Sequence, residues 1–150
     1  LVVKRGKGYG EGLLIDFALQ NSKLLRGAHH FFKCTGKVYC RNFPEIISMI
    51  QKHNMQNIFW SLPLNEGSAD ARFYYVSKAF CGTHLLPAYG KIDDRNGVCS
   101  EHCIAKVARE NLRSGQALRP MLSGFSGSHN APYFESSLGY LDTNFPCWAS

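Results

Sequence analysis

The sequence predicts an α/β fold, and three observations predict it. Short apolar or aromatic runs with strand character alternate along the chain with segments of helical spacing. Turns containing Gly or Asn separate them. A length of 150 residues with 45% hydrophobic content is enough to build one real core. No internal repeat, low-complexity tract or composition shift divides the chain, so a single domain over 1–150 is expected.

The elements follow in order. Lys7-Gly8-Tyr9-Gly10-Glu11 reads as a turn into a helix over 11–26, where Leu13, Leu14, Phe17, Ala18, Leu24 and Leu25 keep roughly helical spacing. Gly27 is its natural stop. Phe31-Phe32-Lys33-Cys34 reads as a short buried strand. It empties into Thr35-Gly36-Lys37, a turn at the strand end where open α/β sheets place ligands. Asn42 and Glu45 have capping-box spacing ahead of a helix carrying Ile46, Ile47 and Ile50. Residues 57–62 and 72–76 are aromatic and β-branched enough to be strands, and the polar stretch 65–70 between them reads as a loop. Residues 77–89 are expected to be helical.

Asp93 and Asp94 then enter a turn that Asn96-Gly97 closes, since Gly accepts positive φ without steric cost. Ser100 is placed to cap the next helix, whose Ile104, Val107, Ala108 and Leu112 share one face, and Gly115 would end it. Residues 119–122 read as a last strand, followed by a loop rich in Gly and Ser over 124–132. The aromatic tail (Tyr133, Phe134, Tyr140, Phe145, Trp148) is expected to pack onto the body.

Composition narrows the function classes. No apolar run reaches the roughly 18 residues needed to span a bilayer. The net charge of +6 suits an anionic ligand such as a phosphate, a nucleotide or an acidic glycan. Only Lys4, Arg5 and Lys7 are tightly clustered, and Arg and aromatic residues do not interleave, so nucleic acid is not an expected partner. Leu1-Val2-Val3 is followed at once by basic residues, which is no signal peptide. Opening on Leu rather than Met is what a processed product or a piece of a longer frame would do. The six cysteines, Cys34, Cys40, Cys81, Cys99, Cys103 and Cys147, are expected to be reduced thiols of a cytoplasmic protein.

Chemistry-bearing residues concentrate over 92–102. Glu101 falls at the start of a helix, where the helix dipole favours an ionised carboxylate, and Asp93-Asp94 lie just upstream. A solvated, acid-rich turn is the plain alternative. Cys99-Ser-Glu-His102-Cys103 invites a zinc reading, but its spacing is not the two-residue knuckle of structural sites, so no metal is expected. Cys99 or Cys103 with His102 would make a hydrolase's nucleophile and base. That reading ranks last, because adjacent residues on one helix rarely face the same substrate. His29-His30 reads as a strand-edge pair. The glycines around Lys7 lack a Gly-Lys-Ser/Thr ending, although a helix start beside Lys7 could still meet an anion.

Five motifs occur in a suggestive order: Lys7-Gly-Tyr-Gly-Glu11, Phe32-Lys-Cys-Thr-Gly-Lys37, Asp93-Asp-Arg-Asn-Gly97, Glu101-His102 and Gly124-Phe-Ser-Gly127. Together, over about residues 4–133, they resemble the C-terminal part of a bacterial family of GT-A-type glycosyltransferases associated with cell-surface polysaccharide synthesis. The resemblance implies a three-layer, GT-A-like (Rossmann-like) sheet with helices on both faces, lacking the N-terminal nucleotide-binding strands. It implies transfer of a sugar from a nucleotide-sugar donor to a glycan acceptor. Glu101 would be the general base, with Asp94 as rival. Lys33 and Lys37 would neutralise the diphosphate, Lys7, Glu11 and Asp93 would contact substrate, and Ser126, Gly127 and Ser128 would help close the site. Where the family carries a metal-binding Asp-x-Asp, this chain has Thr35-Gly36-Lys37, so an inverting, metal-independent reaction without a cofactor is expected. Missing strands would leave a sheet edge and apolar surface to be covered. The alternative is therefore a non-catalytic binding or assembly domain derived from such an enzyme, as a homodimer.

Overall fold

Short helices and one long one open the chain: α1 (Val2–Arg5), α2 (Lys7–Asn21) and α3 (Lys23–Arg26). The computed structural model describes residues 2–62, 65–126, 131–134 and 145–150. After β1 (His30–Cys34) and β2 (Val38–Cys40) come α4 (Phe43–Lys52) and two long-range partners, β3 (Ile58–Leu62) and β4 (Asn65–Ser77). A broken helical stretch follows: α5 (Lys78–Phe80), a π-helical turn (Cys81–Leu85) and α6 (Leu86–Tyr89). Then come α7 (Ser100–Asn111), β5 (Arg113–Ala117), β6 (Leu122–Ser126), β7 (Ala131–Phe134) and β8 (Phe145–Ala149).

Five strands form the central sheet in the order β1-β4-β3-β8-β5, and three more form a small sheet in the order β2-β6-β7. The fold is mixed α/β, as expected. The strand directions are not those of the expected Rossmann-like sheet, because every pair in the central sheet is antiparallel. Connection length accounts for the β3–β4 pair. Only residues 63–64 separate β3 from β4, and a link that short can join only antiparallel neighbours, whereas a parallel pair needs a crossover of a dozen or more residues.

Alternation along the strands divides the core into two. Phe59, Tyr74, Val76 and Trp148 face α2, α6 and α7, where they pack with Leu85, Tyr89, Ile104 and Ala108. Ile58, Trp60, Phe73 and Cys147 face the other way, onto Ile46 and Ile50 of α4 and Leu122 of the small sheet. Helices therefore cover both faces, with the small sheet sharing the second.

Several local expectations are corrected. Residues 65–70 belong to β4, not to a loop: Ala69 pairs with Ser61 and is fully buried. The small side chains Ala69 and Ala71 lack the bulk that marks a strand in sequence, but they let Ala105 and Ala108 of α7 approach closely. Helix α7 stops at Asn111, with Leu112 already extended, because β5 begins pairing with β8 at Arg113; Gly115 lies inside that strand. The N-cap of α7 is Cys99, while the Ser100 hydroxyl donates to Glu101 instead of capping. The last predicted strand starts at Leu122 and not at 119. The segment before it is held by side chains: Asn42 Nδ2 donates to Arg119 O at 2.8 Å and Asn42 Oδ1 accepts from Met121 N at 2.7 Å. Asn42 thus sits at the start of α4 but makes no side-chain cap there.

On α2 the predicted apolar stripe points outward. Leu13, Leu14 and Phe17 are 45%, 70% and 65% exposed. The inner face is built on Gly8 and Gly12, flanked by Tyr9, Ile15 and Leu19. A Cβ at Gly12 would lie 2.5 Å from the Tyr89 Cβ, so this close approach of α2 to α6 requires glycine. In the tail, Phe145 and Trp148 are buried as expected; Tyr140 lies outside the described residues.

Candidate functional site

The approach of α2 to α6 carries a carboxylate to a strand cation. On β1, Phe31 faces the helical layer and Phe32 the opposite core, so Lys33, two residues on from Phe31, also turns toward α2. Lys33 is only 8% exposed. Its Nζ lies 2.5 Å from Glu11 Oε1, donates to Thr35 Oγ1 at 2.9 Å and donates to the Ala71 carbonyl. An ammonium has three N–H groups, and each has an acceptor here. On the far side of the carboxylate, Tyr89 OH donates to Glu11 Oε2 at 3.4 Å and lies 3.3 Å from Tyr74 OH. Burial pushes both phenols well above their usual range, so both remain neutral hydroxyls.

Beside this network opens a cavity of about 330 Å³ between α2, α3 and β1. Leu14, Ile15, Ala18, Leu25 and Phe31 form its apolar walls, and Glu11, Lys33 and Thr35 its polar end. Because the ion pair cancels, that end carries no net charge but offers a carboxylate edge and a hydroxyl for hydrogen bonding. The size is at the lower bound of ordinary small-molecule sites, and the mix of apolar wall and few convergent polar groups is typical of them.

The other expected site residues lie apart from this cavity. Asp94 Oδ2 accepts from Gly8 N at 2.8 Å, across 86 residues of sequence. It caps the free N–H groups of α2, a task that the N-cap residue Gly6 has no side chain to perform. Gly6 sits at φ 100°, where a Cβ would fall 2.4 Å from Asp94 Oδ2. The Asn96-Gly97 turn forms as expected, with Gly97 at φ 77°. Asp93 Oδ2 accepts from Asn96 Nδ2 at 2.9 Å within that turn. Lys7 is exposed at the first position of α2.

Glu101 stands in the first turn of α7 and accepts a hydrogen bond from Ser100 Oγ at 3.0 Å, outside the cavity lining. Lys37 is exposed in the turn between β1 and β2, and its carbonyl accepts from Phe125 N at 2.9 Å. Ser126 ends β6, while Gly127 and Ser128 lie outside the described residues. The structure thus unites Glu11 with Lys33, and Asp94 with the helix start that bears Lys7. It does not bring Glu101 to the Lys33 end.

Asp94 as a cap makes a simple prediction. Asp94→Ala is expected to lower unfolding stability by about 1 kcal/mol in urea titration, and Asp94→Asn by less, because an amide oxygen also caps. Equal losses for the two would remove the capping role.

Sequence reasoning missed Thr35 as a partner of Lys33, and Tyr74 and Tyr89 altogether. Phe31 and Lys33 at alternate positions could have signalled a cation turned inward; the tyrosines, on separate elements, give no local sign. It also undervalued Cys99 and His102, whose Sγ and Nδ1 lie 3.2 Å apart. Among the described residues, no three His, Cys, Asp or Glu side chains are placed to share a metal ion, and no helix is long and apolar enough to cross a membrane. No protein-family model, no curated protein and no solved structure matches the chain.

Proposed function

We propose that this chain is a binding module for a small, largely apolar molecule with one uncharged polar head. The observation that carries the reading is the cavity of about 330 Å³ ending in the closed Glu11–Lys33–Thr35 cluster. Apolar walls reward a hydrocarbon body. A charged head would have to shed water opposite a pair that is already neutralised, with no opposite charge left to compensate it. A hydroxyl or amide head can exchange hydrogen bonds with Thr35 and the Glu11 carboxylate at little cost.

The same cluster weighs against the diphosphate role for Lys33, whose N–H groups all point at protein acceptors. Glycosyl transfer remains the reading that the family resemblance supports, with Glu101 as base and Lys37, exposed beside the strand end, as the remaining cation. The two readings call for different ligands.

Displacement of a fluorescent apolar dye by octan-1-ol, octanoate and octylammonium tests the first. Octanol should compete best, and Ala18→Trp, which fills the cavity from α2, should abolish its binding while circular dichroism stays unchanged. Octanol binding that survives Ala18→Trp would sink the assignment of this cavity. Calorimetric titration with UDP-, GDP- and CMP-sugars tests the second: saturable binding to one of them, weakened by Lys37→Ala, would favour the transferase.

A further inference from the structure

A second chemical cluster lies at the start of α7. Cys99 is the N-cap, and its carbonyl accepts from Cys103 N at 3.2 Å, so Cys103 stands one turn above it. Helix geometry places the two Cα atoms about 6 Å apart, inside the Cα range of a disulfide, and closing the bond must draw the two Cβ atoms in from the roughly 5–6 Å of a regular turn. The Cys99 Sγ lies 3.2 Å from His102 Nδ1, because the N-cap side chain swings back toward the third helical residue. The expectation that adjacent residues on this helix diverge does not reach Cys99 and His102, which are three apart, share a face and touch. Cys99 and Cys103 are half-buried, Cys103 packing against the helical-layer core, and His102 is exposed.

We propose that Cys99, His102 and Cys103 form a dithiol site that reduces small disulfides by thiol–disulfide exchange.

The roles divide by environment. Cys99 is the sulfur with a base at hand: its Sγ lies 3.2 Å from the His102 ring at the start of the twelve-residue α7. Burial, and after it the charge that Cys99 would carry, push the Cys103 thiol up. Three of the other four thiols compete poorly. Burial pushes Cys81 up to about 12 and Cys147 up to about 11, and it raises the exposed Cys34 as well.

In the first step the Cys99 proton moves to His102 and the thiolate attacks one sulfur of the disulfide. The substrate S–S bond breaks, a Cys99 mixed disulfide forms, and the leaving thiolate takes a proton back from the imidazolium. Cys103 then loses its proton to solvent and attacks Cys99 Sγ. This closes a Cys99–Cys103 bond and releases the second thiol. One substrate disulfide gains two electrons and two protons; the protein dithiol loses them.

The test uses the reduced full chain with oxidised glutathione, followed by intact mass and peptide mapping. The wild type should lose the mass of two hydrogens, located at Cys99 and Cys103, and release two glutathione thiols. Cys103→Ser should stop at a glutathione adduct on Cys99. His102→Gln should react about tenfold more slowly with an unchanged circular dichroism spectrum. Should Cys103→Ser not fold, competitive iodoacetamide labelling of the wild type gives an independent reading, in which Cys99 must outpace Cys34. Glutathione landing on Cys34 before Cys99, an adduct on Cys99 that Cys103 never resolves, or a His102→Gln chain as fast as wild type would each overturn the proposal.

Discussion

Replacing Glu11 with alanine should lower the unfolding free energy by about 3 kcal/mol, the lower end of what breaking a buried ion pair costs. The asymmetry of the pair sets this figure. The Lys33 side chain is 7% exposed and cannot recover water when its partner goes, while Glu11 keeps 27% exposure and was never fully desolvated. Thr35 and Ala71 would still accept from the ammonium, but neither carries charge. Tyr89 would lose its acceptor on Glu11 as well, leaving the buried phenol to Tyr74 alone. Urea titration measures the loss directly. The informative companion is the double replacement Glu11→Leu with Lys33→Met, which removes both charges and keeps the volume. It should return most of the stability, because the penalty of the single change is an orphaned charge and not the absence of an attraction. A single Glu11→Ala loss below about 1 kcal/mol would mean that Lys33 relaxes to solvent and that the polar end of the cavity is not fixed in place.

The parts of the fold that were legible in sequence are those with a strong local signal. The strand Phe31-Phe32-Lys33-Cys34, the helix carrying Ile46 and Ile50, and the turn closed at Gly97 all form where spacing put them. What misled is equally physical. Leu13, Leu14 and Phe17 have helical spacing, yet α2 packs through Gly8 and Gly12, since close approach to Tyr89 rewards the absence of a side chain. Asn42 has the spacing of a cap but is drawn to Arg119 and Met121, some 80 residues away, which no window of sequence can show. The site suffers the same way. Lys33 and Glu11 were both picked out, but as separate contacts for a diphosphate and a substrate; only the fold makes them a neutral pair. Asp94, read as a rival base, turns out to hold a helix end.

The two-faced core gives a second large effect, separable from the first. Trp60 is fully buried on the face away from α2, against Phe73 at a ring separation of 5.5 Å, and its indole N–H donates to Leu118 O at 2.9 Å. Trp60→Ala should cost about 3–5 kcal/mol, from the lost contacts and the cavity left behind, and it also strands the Leu118 carbonyl. Trp60→Phe should cost less, since it keeps most of the volume and loses mainly one hydrogen bond, worth about 1 kcal/mol. Trp60 does not line the cavity; Phe32 does, and its ring lies 5.5 Å from that of Phe73, so Trp60 stands two rings away from the cavity wall. Octanol affinity, measured on Trp60→Phe at a temperature where the chain is fully folded, should therefore match the wild type. The Ala18→Trp chain should behave in the opposite way, with stability kept and affinity lost. A Trp60→Phe chain that is folded but has lost octanol binding would show that the sheet transmits packing from one face to the other. The cavity would then be a feature of the whole core and not of α2, α3 and β1 alone.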